Sequence, residues 1–210
     1  MKILLFVIFC LISLVYSQQQ NTITIIPYEY TNGCANSPEP NGIVLLIVLY
    51  YSGYNLPFNY CVMMNGFGIT IEPSVKKNRK YVSFSTNCTF NNEIIRQDLY
   101  PFNTCVNFTL PDGQSSMVMF KINGQVPKDS ISFNYFYNPS QEGTCNGNSY
   151  SIFRTDGFNG DGHTYSCAKG EPYEQICSIP SNCTWVPINN NNECYNNSNS
   201  IIPSYDITCV

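Results

Sequence analysis

One histidine, His163, lies in the run Gly160-Asp-Gly-His-Thr-Tyr165. Imidazole is the usual general base near neutral pH, and a Ser-His-Asp site would need it beside an orienting carboxylate and an activated nucleophile. No G-x-S-x-G elbow or comparable nucleophile motif accompanies it. A polar residue on a turn or strand edge is therefore the expected role of His163. Zinc needs three or four ligands from cysteine, histidine and carboxylate. One histidine and cysteines expected to pair with each other do not supply them. Calcium finds a better set in Asp156, Asn159 and Asp161, three oxygen side chains on a glycine-rich loop. The loop lacks EF-hand spacing, and Asp or Asn beside Gly forms turns without metal. Glycosidase chemistry would need two positioned carboxylates, and the fourteen Asp and Glu carry no signature around any pair. No catalytic or cofactor-binding residue and no cofactor is assigned, and the expectation is a chain that is not an enzyme.

Two further constellations point to binding. Lys76-Lys77-Asn-Arg79-Lys80 concentrates positive charge between two predicted strands. It reads as a solvated hairpin loop, with acidic polysaccharide or anionic headgroups as the ligand class it would attract. The net charge of −4 gives no footprint for nucleic acid. Aromatics make up 14% of the chain, and in Ile131 to Tyr137 the side chains of Phe133, Tyr135 and Tyr137 share one strand face. Aromatic rings beside Asn or Asp suit a sugar, so these three are the candidate glycan contacts. Filling a core poor in leucine is the alternative use of the same rings.

The cysteines set the compartment. Lys2 and the apolar run Ile3 to Tyr16 read as a signal peptide cleaved after Ser17, and cleavage removes Cys10 and leaves ten of eleven cysteines. An even set, Cys34, Cys61, Cys88, Cys105, Cys145, Cys167, Cys177, Cys183, Cys194 and Cys209, predicts five disulfides in an oxidising compartment. Connectivity stays open at this level. Sequons at Asn87, Asn107, Asn182 and Asn196 fit the same route. Ile43 to Tyr51 is too short for a helical span and reads as a buried strand. No membrane span is expected in the mature chain, and its oligomeric state is not legible.

Strands must position these residues. Thr22–Tyr30, Phe67–Glu72, Tyr81–Thr86, Thr104–Leu110, Met117–Ile122 and Ile131–Tyr137 are rich in β-branched and aromatic residues, several in period-2 alternation. Asn-Gly and Asp-Gly pairs, among them Asn65-Gly66, Asp112-Gly113, Asn123-Gly124 and Asn146-Gly147, punctuate them as tight turns. Glu93 to Leu99 is the one helical candidate. The predicted fold is all-β: a disulfide-stabilised antiparallel sandwich or irregular barrel-like pair of sheets, with a loop-rich C-terminal part. Residues 1–17 form the signal, 18–137 a β-rich N-terminal part and 138–210 a disulfide-rich C-terminal part, packed with the first as one domain.

Val15-Tyr-Ser-Gln18, the spaced cysteines, the Asn-Cys-Thr sequons and the tract Asn189 to Asn192 together resemble small secreted cysteine- and asparagine-rich proteins of social amoebae. The resemblance implies secretion. The group has no assigned activity, so no site residues carry over. The leading expectation is a secreted, extracellular glycoprotein of the matrix or cell surface with a structural or interaction role. A lectin-like module binding extracellular polysaccharide or a cell-surface glycoprotein is the alternative. A secreted hydrolase using Asp156, Asp161 or His163 is the third reading.

Overall fold

The computed structural model describes residues 22–28, 34, 52–64, 66–73, 79–89, 93–137, 144–155, 159–160, 163–167, 170–179, 182–188, 194–195 and 204–210. The predicted signal, the Ile43 to Tyr51 run, Lys76, Lys77, Asp156, Asp161, Asn189 to Asn192 and Asn196 lie outside them. Fifteen strands occur in the described residues, without a helix. No helix there is long and apolar enough to cross a membrane.

Three antiparallel sheets result. The largest has seven strands in the order β15-β9-β10-β2-β1-β8-β7, with β1 Thr22–Tyr28, β2 Ser52–Pro57, β7 Cys105–Thr109, β8 Ser115–Ile122, β9 Ile131–Phe136, β10 Ser149–Arg154 and β15 Tyr205–Cys209. A second sheet holds β3 Cys61–Met64, β4 Phe67–Pro73, β5 Arg79–Ser85 and β6 Ile94–Pro101 in chain order. The third holds β11 Asn159–Gly160, β12 His163–Ser166, β13 Tyr173–Ile179 and β14 Asn182–Pro187, also in chain order. The seven-stranded sheet takes β10 and β15 from beyond residue 137 and places them beside β2 and β9.

Side-chain alternation decides what packs. Tyr54, Ile25 and Phe120 form one row across β2, β1 and β8, with Leu56 and Ile23 in the next. These side chains bury against Val62, Met64, Ile69, Ile71, Val82 and Phe84 of the second sheet in the main core. Full burial of each large apolar side chain contributes about 1.5–3 kcal/mol. Aromatic rings join the two layers. Phe84 and Tyr100 come from the second sheet, Phe108 and Phe120 from the first, with centroids 5.1–5.8 Å apart in tilted, stacked and edge-on pairs. A smaller core gathers Ile131, Ile207 and Tyr165, linking β9 and β15 to the third sheet.

The segment expected to be helical is strand β6. Its period is 2: Arg96, Asp98 and Tyr100 alternate with Ile95, Gln97 and Leu99, which suits pairing with β5 from Arg79 to Ser85. Arg96 lies 4.4 Å from the Phe84 centroid, pairs with Asp98 at 2.9 Å and donates to the carbonyls of Thr109 and Leu110. These contacts tie an edge strand of one sheet to the β7–β8 turn of the other. Tertiary pairing outweighs the local helical signal.

Turn chemistry follows the sequence at the Asp112-Gly113 pair. Gly113 adopts φ +90°, its amide donates to Leu110, and the Leu110 amide donates to Gln114, closing the β7–β8 hairpin. Gly53 is used differently. It stands directly opposite Phe153, and a Cβ there would overlap the ring. Since Phe153 is fully buried, Gly53→Val is expected to destabilise by about 3 kcal/mol or more. The double variant with Phe153→Ala should recover part of that loss in urea unfolding. An unaltered midpoint for Gly53→Val would refute the close packing.

Burial pushes the Tyr54 phenol up to about 12, and burial with the Asp98 carboxylate does the same for Tyr100, whose hydroxyl donates to Asp98 at 3.2 Å. A folded pKa above the ordinary value of 10 means the folded state holds the proton more tightly. That stabilisation is complete below pH 10 and lost as pH rises from 10 through 12. The urea midpoint should therefore fall across this window, and less steeply in Tyr54→Phe and Tyr100→Phe. Equal slopes in wild type and both variants would exclude these phenols as the cause.

Candidate functional site

Phe133, Tyr135 and Tyr137, the sequence candidates for glycan contact, sit on one face of β9 and its extension, among other rings. Phe133 meets Tyr165 edge-on at 5.9 Å, and the Arg154 guanidinium lies 5.5 Å from Phe133 and 4.7 Å from Tyr165. Tyr135 stands opposite Tyr150 on one side and Tyr205 on the other, at 5.1 and 5.5 Å. Tyr137 is buried and stacks on Tyr60 at 3.7 Å. With Tyr195 on Tyr205 at 4.9 Å, the tyrosines form a row from the main core to the smaller one. Burial raises the phenol pKa of Tyr60, Tyr135 and Tyr150, and neighbouring phenols add to it. The row is neutral and its ring faces are largely occupied by one another.

On the opposite face of the same sheet, Thr24, Asn55, Ser151, Asn134 and Asp206 stand opposite one another across five strands. Their polar groups are internally engaged. The Thr24 hydroxyl donates to the Gly124 carbonyl at 2.6 Å, and the Asn134 amide donates to Asp206 at 2.7 Å and to Thr208 at 3.0 Å. Ser132 donates to Asn134 at 2.9 Å. Satisfied in this way, the row specifies strand register.

A different surface is open. Cys177 and Cys183 face each other in the β13–β14 hairpin and form a disulfide with Cα atoms 4.0 Å apart. That clamp fixes the register beyond it, with Gln175 opposite Trp185 and Tyr173 opposite Pro187. Thr164 and Ser166 of β12 extend the two rows. One face of the third sheet thus presents Thr164, Gln175 and Trp185 in one row and Ser166, Tyr173 and Pro187 in the next. Trp185 is 46% exposed, and no ring of another described residue packs on it. The Tyr173 hydroxyl donates to Glu171 at 3.0 Å, and this hydrogen bond and the carboxylate charge raise its pKa. The other face of the sheet carries Tyr165, buried in the smaller core. Sequence reasoning missed this surface. Trp185, the single tryptophan of the chain, was the available signal.

Of the calcium candidates, Asn159 falls in β11, while Asp156 and Asp161 lie outside the described residues; His163, weighed above as a general base, pairs with Gly160 at the start of β12. Among the described residues no group of three His, Cys, Asp or Glu is placed to hold a metal ion. From the basic run, Lys80 lies over the rings of Phe58 and Phe102, at 4.6 and 5.7 Å, and Arg79 is exposed.

All ten cysteines expected in the mature chain are paired: Cys34–Cys105, Cys61–Cys88, Cys145–Cys194, Cys167–Cys209 and Cys177–Cys183. Cα separations of the first four are 5.4–5.7 Å, and no bridge crosses residue 137. In the chain-entropy view the six-residue loop is worth about 2 kcal/mol and the long loops about 4 each.

An all-β chain with this disulfide framework belongs to the class of proteins matured in an oxidising, extracellular-type compartment. More particularly, the chain belongs to the counting factor-associated protein A/B/C family, matched over residues 1–206, in keeping with the resemblance to secreted proteins of social amoebae. No curated protein sequence and no solved structure gives a significant match.

Among the sequons, Asn107 and Asn182 are exposed, whereas the Asn87 side chain accepts hydrogen bonds from the Thr89 amide and hydroxyl. Asn107 lies on β7, an edge of the seven-stranded sheet. A glycan there would shield an open edge from pairing with another chain. Asn107→Gln should lower the mass of the secreted protein by one N-glycan without changing its unfolding midpoint. An unchanged mass would show the site to be unoccupied.

Proposed function

We propose that this protein is a secreted glycoprotein that acts outside the cell by binding other extracellular molecules, without a catalytic step of its own. The observation that carries this reading is the closed set of five disulfides, which engages all ten cysteines of the predicted mature chain. The predicted signal ending at Ser17 supplies the route. Family membership supports the mode of action, because the family is described as counting factor-associated, an association rather than a reaction. The tyrosine row, the satisfied polar row and the aromatic quartet all serve packing. The open face around Trp185 is the surface best suited to contact a partner.

The test is the intact mass of protein secreted by cells expressing the full chain, deglycosylated, before and after reduction and alkylation. The expected product begins at Gln18 and takes up alkylating agent at ten cysteines only after reduction. Thiols reactive in native protein, or a retained leader, would overturn the reading of its route. Turnover on glycan, peptide or ester panels, lost on substitution of one carboxylate or His163, would overturn the reading of its mode.

A further inference from the structure

We infer that the open face of the third sheet is a binding platform for a neutral polysaccharide, with Trp185 and Tyr173 as stacking groups. This rests on the reading of the protein as an extracellular binder and names the class of ligand.

Gln175 opposes Trp185 and Tyr173 opposes Pro187, so Tyr173 and Trp185 are diagonal neighbours on one face. Such positions in an antiparallel pair are about 7–8 Å apart, within joint reach of two large rings. The polar side chains of the same two rows are the Gln175 amide and the hydroxyls of Thr164 and Ser166. These can each donate and accept, matching the ring and substituent hydroxyls of a sugar. A pyranose presents C–H groups on its faces and hydroxyls at its rim, the pattern that aromatic rings flanked by amide and hydroxyl groups complement.

Charge narrows the ligand further. The two rows carry no cationic side chain, and the Glu171 carboxylate stands beside Tyr173, 3.0 Å from its hydroxyl. An anionic polysaccharide or phosphate-bearing headgroup would meet the Glu171 carboxylate and find no cation in these two rows. The face is also held rigid in the way a flat ligand needs. The Cys177–Cys183 bridge fixes one end of the hairpin, and burial of Tyr165 anchors the back of the sheet. A nearly half-exposed tryptophan on such a scaffold leaves apolar surface in water that a ligand would cover.

Since Trp185 is the only tryptophan, its fluorescence reports this face alone. The secreted full chain is titrated with cello-, laminari- and chito-oligosaccharides and, separately, with heparin fragments, and retention on the corresponding insoluble polysaccharides is measured. The expected result is a saturable blue shift or quench with a neutral oligosaccharide, little dependence on salt, and retention competed by that sugar. Tyr173→Phe keeps the ring and removes the hydroxyl, so it should bind. Tyr173→Ala and Trp185→Ala should lose at least about tenfold in affinity, the effect of an aromatic anchor. Unaltered unfolding midpoints establish that these variants fold.

Binding that survives Trp185→Ala, a response only to heparin that salt abolishes, or no response to any neutral glycan would each overturn the proposal. Any of these results from a protein that is secreted and fully disulfide-bonded would leave the broader reading as an extracellular binder standing. A tryptophan response to another secreted protein, with none to sugars, would likewise overturn it and give the face to a protein partner.

Discussion

The pairing of β9 with its two neighbours is the interaction on which the rest of the molecule depends. β9 joins β10, and through it β2 and the main core, to the C-terminal strand β15, whose pairing in the sheet is with β9. The Cys167–Cys209 bridge then fastens β15 to the chain just after β12. The third sheet is thus tied to the first by the Cys167–Cys209 disulfide, by the small core around Tyr165, Ile131 and Ile207, and by Arg154 of β10 lying over the Tyr165 ring. Because side chains alternate, a one-residue slip of β9 would move Phe133 and Tyr135 to the face of Ser132 and Asn134. It would disrupt the tyrosine row and the Asn134–Asp206 bond together. Two unlike rows on opposite faces make the register strongly determined.

Only 11% of residues are charged, so cohesion rests on aromatic packing, backbone pairing and covalent bridges. The described ion pair, Arg96–Asp98, is 31% and 35% exposed, and its Coulomb attraction alone is worth little. Its geometry matters more. Stacked on buried Phe84 and donating to the carbonyls of Thr109, the last residue of β7, and Leu110, Arg96 closes the end of the sandwich at the β7–β8 turn. The disulfides act on a different scale, each chiefly by limiting the unfolded ensemble. This division of labour suits a protein outside the cell, where chaperones and reductants do not repair it.

Much of the fold was legible in the sequence, because runs such as TITIIPY of β1 and ISFNYF of β9 combine β-branched and aromatic residues with visible alternation. β2 was not, since SGYNLP has the composition of a turn. It is nevertheless central, because Gly53 makes room for the Phe153 ring and Asn55 takes its place in a polar row, both supplied by strands distant in sequence. β6 misled for a similar reason, as the contacts that favour its extended form come from Phe84 and the β7–β8 turn. The aromatic candidates Phe133, Tyr135 and Tyr137 were correctly grouped on one face. A single strand does not reveal what stands opposite it, here Tyr150, Tyr205 and Tyr165. Trp185 was hidden for the converse reason: nothing local tells an exposed ring from a buried one.

That no disulfide crosses residue 137 has a consequence for the order of events during synthesis. Cys34–Cys105 and Cys61–Cys88 can close while the ribosome is still making the second half. β9 cannot be placed then, because both of its partners, β10 and β15, emerge after it. Until β10 arrives, β2 carries an unpaired edge on an already oxidised sheet. The nascent chain therefore passes through an interval in which two of its five bridges can be closed while its largest sheet lies open. In that interval folding helpers of the secretory pathway have a defined surface to hold, and an early glycan on Asn107 would guard the opposite edge.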